Sequence, residues 1–202
     1  MRSIKRLSAE RAIVVACGDA RVYYEVVREL KRHSIRFAVA REPRAKLVAD
    51  ALITDSPPKG SGLEVVDVRR VRPGVPLLLD VCRALLGESI LNEVVLGVDP
   101  GEEMGVVLVA DGVLVLGFST RDPSRLAEVA RGVVEYGRYR EFVAKVGSSP
   151  GCASVVAALT KAGCPRVRLV DESRVSGLAR LYSRVLGLRD ENVAAAYAIC
   201  LA

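Results

Sequence analysis

The chain has one histidine, no Cys-x-x-Cys spacing, and no unbroken apolar run of the roughly 18 residues that a membrane span requires. Each absence removes a class of function. With His33 alone and no partner set, Ser/His/Asp and Cys/His nucleophilic chemistry is excluded. A structural zinc site is excluded on the same residues, because it needs closely spaced Cys or His ligands. His33 instead closes an expected helix beside Lys31 and Arg32, where a cation suits the helix dipole. The cysteines Cys17, Cys82, Cys152, Cys164 and Cys200 read as reduced thiols. Cys152 and Cys164 flank an expected helix, which at 1.5 Å per residue holds them about 18 Å apart, too far for a bridge. Neither GxGxxG nor GxxxxGK[ST] occurs, so a dinucleotide or P-loop site lacks support. The first residues, MRSIKRLSAER, are basic with no apolar segment behind them, so the expectation is a cytoplasmic protein with no signal peptide and no membrane partner.

What is present is an ordinary folded composition, 50% hydrophobic and 27% charged over 202 residues. The formal charge of +6 is unevenly placed. Residues 1–92 hold 17 Lys or Arg against 11 Asp or Glu, whereas residues 93–202 hold 13 of each. A basic module and a neutral one are the expectation. The basic part could attract phosphate backbones, or its charges could simply be solvated helix faces; both readings stay open.

In the first half, strand and helix alternate. Ala12–Cys17 reads as a buried strand that ends at Gly18-Asp19, and Asp19 can cap a helix running to about His33. Arg36–Ala40 and Ala51–Thr54 read as strands, with a short helix after Pro43 between them. Asp55 to Gly62 is a loop by composition, Leu63–Val68 a strand and Pro76–Leu86 a helix. The sum is a small parallel α/β layer. Ligands in such layers sit at the carboxyl ends of the strands, which here carry Asp19 and Asp55. The favoured reading of both is cap and turn.

The second half is organised by Val94 to Ser119, in which three β-branched runs, Val94–Val98, Gly105–Ala110 and Val113–Phe118, are joined by two turns. Asp111-Gly112 is a strong hairpin signal, because both central positions of a type I′ turn need a positive φ. Asp99-Pro100-Gly101 is turn chemistry as well. A β-meander is therefore predicted, with a carboxylate closing its first strand. After it come a helix over Pro123–Tyr136, a strand over Glu141–Val146 and a helix over Cys152–Ala162. A strand over Val167–Val170 and helices over Val175–Leu186 and Glu191–Leu201 complete the order.

A meander followed by αβαβα, with an Asp at the end of the first strand, resembles the ribonuclease H-like fold, and within it the RuvC-type and YqgF-type resolvase branch. Gly97-Val98-Asp99-Pro100-Gly101 matches the opening motif of that branch, and Gly105 the glycine that begins the next strand. Val146-Gly147-Ser148-Ser149-Pro150-Gly151 resembles its glycine-rich turn, and Leu169-Val170-Asp171-Glu172-Ser173-Arg174 its Asp-Glu-Arg segment. Ala194-Ala195-Ala196-Tyr197-Ala198-Ile199 resembles its alanine-rich final helix. The expected organisation is α/β in two domains: a small parallel, basic layer over residues 1–92 and a ribonuclease H-like domain over residues 93–202.

The resemblance implies binding of structured nucleic acid and phosphodiester hydrolysis with Mg²⁺ or Mn²⁺, since in-line displacement at phosphate uses divalent ions held by hard oxygen ligands. It places the candidate catalytic residues at Asp99, Asp171, Glu172 and Glu191, with Asp99 and Glu172 as metal ligands. Gly147, Ser148, Ser149 and Gly151 form the candidate phosphate-binding loop, through backbone N–H groups at a helix start; the alternative is a helix cap by Ser148 or Ser149. Where the family carries a Glu near the end of the fourth strand, this chain has Val146-Gly147-Ser148, and Asn192 and Ala195 stand where its final helix carries acids. Two strand spacings put the backbones of Asp99 and Asp171 about 9.6 Å apart, so these carboxylates are expected to stand apart unless they lean across the strand between them. A relative that kept the fold without the chemistry, acting as a nucleic-acid- or partner-binding module, is the alternative. Phosphate binding of the sugar-kinase kind, through Asp99 and the Gly147–Gly151 loop, is a third reading and rests on fold analogy.

Overall fold

The computed structural model describes residues 2–41, 48–60, 62–186 and 190–202. The chain divides into two units, residues 2–90 and residues 91–202. The helix expected after Pro43 lies outside the described residues.

The first unit holds β1 (Arg2–Ser3), α1 (Ile4–Glu10), β2 (Ile13–Val15), α2 (Ala20–Arg32), β3 (Ala38–Val39), β4 (Ala51–Thr54), β5 (Glu64–Asp67) and α3 (Val75–Leu86). Strands β2 to β5 form a wholly parallel sheet in the order β3-β2-β4-β5. Strand β4 has the expected bounds, while β2, β3 and β5 are shorter than the runs that announce them: β3 keeps two residues of Arg36–Ala40, both exposed. Strand β4 is buried throughout, as its unbroken Ala-Leu-Ile run requires. Asp19 caps α2, accepting from the N–H groups of Arg21 and Val22 at 2.7 and 3.1 Å. Asp55 accepts from Gly18 and Asp19 N–H at 3.0 and 2.8 Å, so the carboxylate after β4 ties down the turn after β2. Both acids thus serve the backbone at the strand ends. His33 stands at the C-terminus of α2 with its Nε2 3.1 Å from Glu29 Oε1. The buried Arg83 on α3 donates to Asp80 at 2.7 Å, Glu64 at 2.9 Å and the Val65 carbonyl at 3.1 Å, which satisfies a charge that burial would otherwise penalise.

The second unit holds β6 (Leu91–Asp99), β7 (Met104–Ala110), β8 (Val113–Thr120), α4 (Pro123–Tyr136) and β9 (Tyr139–Gly147). It continues with α5 (Cys152–Lys161), β10 (Val167–Val170), a 3₁₀ turn η1 (Glu172–Arg174), α6 (Ser176–Leu186) and α7 (Glu191–Leu201). Its five strands run in the order β8-β7-β6-β9-β10. Strand β6 is central: antiparallel to β7, with Asp99 opposite Gly105, and parallel to β9, with Val98 opposite Val146. This mixed α/β sheet is the arrangement expected of a ribonuclease H-like domain. The β7–β8 turn has φ of 44° at Asp111 and 75° at Gly112, the two positive values a type I′ hairpin needs. Asp111 also accepts from the N–H groups of Asn92 and Glu93, pinning the start of β6 to that turn. Helix α4 begins at the cap Asp122 with Pro123 in its first turn and ends at the left-handed Gly137, the Pro-in, Gly-out asymmetry of helix ends. The 3₁₀ turn was not expected; Asp171 starts it by accepting from Ser173 N–H at 3.0 Å.

Helix α7 positions the site. Asp190 caps it, accepting from Asn192 and Val193 N–H at 3.0 and 3.3 Å and from Ser119 Oγ at 2.6 Å. Its backbone lies directly on the sheet because two strand residues have no side chain. A Cβ at Gly97 would overlap the Ala196 carbonyl oxygen, and one at Gly105 the Asn192 carbonyl oxygen. The small and apolar face of α7 then packs Val193, Ala196, Tyr197 and Cys200 against Val95, Val107, Val109 and Val143. The Cys200 thiol, buried here, is pushed up to about 12 by that burial.

Candidate functional site

Asp99 ends β6, the neighbouring β9 ends at Gly147, and β10 beyond it ends at Val170, just before Asp171 and Glu172. Two strand spacings therefore separate Asp99 from the residues after β10, about 9.6 Å of backbone. Glu172 leans into that gap over the end of β9. It can do so because position 147 carries no side chain: a Cβ there would overlap Glu172 Oε1 and approach Ile199 Cδ1 to 3.0 Å. Gly147, which brings the site no donor of its own, is the opening through which the Glu172 side chain passes. The acid that leans inward is Glu172; Asp171, the residue set apart from Asp99 by the strand spacing, does not line the cavity.

The loop after β9 fixes the arrangement. Ser149 N–H donates to Glu172 Oε1 at 3.1 Å, and Ser149 Oγ donates to the Pro100 carbonyl at 2.9 Å. One serine thus joins the segments that follow β6, β9 and β10. Asp99 is half-buried, and its carboxyl is pushed up from 3.8 to about 6, first by burial and then by the negative charge of Glu172. The pair lines a cavity of about 590 Å³, together with Ser183 and Arg184 of α6 and Glu191 and Asn192 of α7. Val175, Ala179 and Ile199 form its apolar wall.

The remaining candidates fall in different places. The Asp171 carboxylate accepts from Ser173 N–H and Ser173 Oγ, at 3.0 and 2.7 Å, and is exposed as the cap of η1; it does not line the cavity. Glu191 lines the cavity but does not close around the pair: among the described residues no three His, Cys, Asp or Glu side chains are grouped tightly enough to share a metal ion. In the candidate phosphate loop, Ser148 N–H donates to the Val170 carbonyl at 3.0 Å and Ser149 N–H to Glu172. Gly151, with φ of 102°, is the N-terminal cap residue of α5, and neither serine side chain caps that helix. The loop spends these N–H groups inside the protein, as the support of Glu172.

Ser183 and Arg184 were not anticipated. The signal was in the sequence: Val175, Ala179 and Ser183 recur every four residues, so one face of α6 is small and ends in a hydroxyl. What the spacing does not carry is which surface that face meets.

The arrangement can do limited chemistry. Two carboxylates lining one cavity offer hard oxygen donors, and the raised Asp99 carboxyl is what a pair short of positive charge displays. A two-ion clamp on attacking and leaving oxygens needs more carboxylates than converge here.

No family model matches the sequence, and no curated protein matches it. Among solved structures the chain is similar to T. thermophilus RuvC in complex with a Holliday junction substrate, with 20% identity over 55% of this chain and 91% of that chain and a TM-score of 0.38.

Proposed function

We propose that the protein binds structured nucleic acid and that its second unit holds a single divalent cation, Mg²⁺ or Mn²⁺, between Asp99 and Glu172 without cutting the strand. The observation that carries this reading is the passage of Glu172 over Gly147, inside the cavity that Asp99 also lines. Two carboxylates alone repel a phosphodiester. With a cation between them they attract one, because the ion accepts the phosphate oxygen as a further hard ligand. Asn192 would add a neutral oxygen, and Arg184 a positive charge at the cavity's lining. The excess of Lys and Arg in residues 1–92 supports an electrostatic contribution from the first unit.

The same donor set argues against turnover. Mg²⁺ dehydrates reluctantly and demands near-octahedral geometry, so two carboxylates hold it at millimolar strength or weaker. Hydrolysis would need Glu191 to join the pair. The test is calorimetric titration of the chain with Mn²⁺. One weak site that disappears in Asp99→Asn is the expected result; two sites, or a site indifferent to Asp99, would overturn the reading.

A further inference from the structure

The outer face of α2 forms a surface that neither the cavity nor the sheets use. At 100° per residue, Arg21, Tyr24, Glu25, Arg28, Lys31 and Arg32 fall in one arc of about 120°. Val26 and Leu30 point the opposite way and are buried. Within the arc Tyr24 stands between Lys31 and Arg28. Its ring is 63% exposed, and the Arg28 guanidinium carbon lies 5.8 Å from the ring centroid. Arg21 is paired with Glu25 at 3.4 Å. Arg28, Lys31 and Arg32 are exposed, and among the described residues they form no ion pair. The arc carries four cations against one acid, Glu25, and sets an exposed aromatic ring among them.

We propose that this face is a binding surface for single-stranded nucleic acid, with backbone phosphates on Arg28, Lys31 and Arg32 and one base stacked on Tyr24. The inference rests on the nucleic-acid reading above and adds a second contact surface to it. The stranding follows from the ring. A phenol on the flank of a helix offers its face to a base, and a base presents its face only when it is unstacked. Duplex would use the three cations and leave Tyr24 idle. Arg28, already against the ring, would sandwich the base edge and neutralise the adjoining phosphate.

The experiment is fluorescence anisotropy of the full chain with a short labelled oligothymidylate, and with a four-way DNA junction, over a salt series. Tyr24→Phe is expected to bind the oligothymidylate like the wild type, and Tyr24→Ala about 5- to 150-fold more weakly with an unchanged salt slope. Replacing Arg28, Lys31 and Arg32 together by Gln is expected to lower the slope of log K against log salt by about 2, since each contact on a single strand contributes about 0.7. Circular dichroism checks that these exposed substitutions leave the helices intact. Unchanged oligothymidylate binding in both Tyr24→Ala and the triple variant would overturn this surface while leaving nucleic-acid binding itself standing. Binding of the junction with none of the oligothymidylate would do the same. If neither probe binds, the broader reading fails and this one with it.

Discussion

Replacing Asp99 by Asn should make the protein more stable at neutral pH and less able to hold a cation. The carboxyl is raised from 3.8 to about 6 in the folded chain by burial and by Glu172. A group raised that far lowers folding stability by about 3 kcal/mol once ionised, and solvent screening of a half-buried side chain brings this to about 1–2 kcal/mol. Asn keeps the shape and removes the charge. For a chain of this length, about 2–4 °C per kcal/mol, the melting temperature should rise by about 2–8 °C above pH 7. The sign follows from proton binding. Between about pH 4 and pH 6 the folded protein holds a proton that the unfolded chain releases, so wild-type stability falls as pH rises through that window and stays level above it. Below about pH 4 both forms of Asp99 are neutral and the advantage of Asn vanishes. Thermal unfolding of both proteins from pH 4 to pH 8 measures this directly. Parallel pH profiles, or an Asn variant that melts below the wild type at neutral pH, would refute the argument that Asp99 faces an uncompensated negative charge.

Gly147→Ala should displace Glu172, since the new Cβ overlaps Oε1; its Mn²⁺ titration should lose the site, and the pH dependence assigned to Asp99 should weaken. Gly105→Ala should be far more harmful, because the Cβ meets the backbone of Asn192 rather than a movable side chain. A loss of about 3 kcal/mol or more, or no folded protein at all, is expected from circular dichroism melts. Mn²⁺ at a few times its dissociation constant should stabilise the wild type by about 1 kcal/mol and leave Asp99→Asn unmoved in the same melts. Cys82 and Cys200 are buried and should resist thiol reagents until the chain unfolds, which labelling followed by mass spectrometry reads out.

The second unit was largely legible because its signals are local. Asp-Gly between β-branched runs names a hairpin, and apolar period names the helices; each needs no knowledge of what lies across the sheet. Strand β3 was overcalled for the same reason. An apolar run shows where a strand can form, while pairing decides how much of it does, and at this edge the ladder with β2 takes in Ala38 and Val39. The site was half legible. Asp99 sits at a turn and could be named from its motif. The approach of Glu172 depends on what Gly147 lacks, on the neighbouring strand in space and 25 positions away in sequence. A glycine after a strand reads as a turn residue whatever passes over it. Asp171 shows the converse: an acid in the right segment, drawn off by its own 3₁₀ turn.

What the Asp99–Glu172 pair does to a nucleic acid separates binding from cleavage. The direct measurement is incubation of the wild-type chain and Asp99→Asn with a labelled four-way DNA junction in Mn²⁺, resolved both as intact complexes and as denatured strands. The account predicts a retarded complex that needs Mn²⁺ for full affinity in the wild type only, with every strand full-length. Cleaved strands in the wild type that are absent with Asp99→Asn would contradict it, and would mean that Glu191 completes the site.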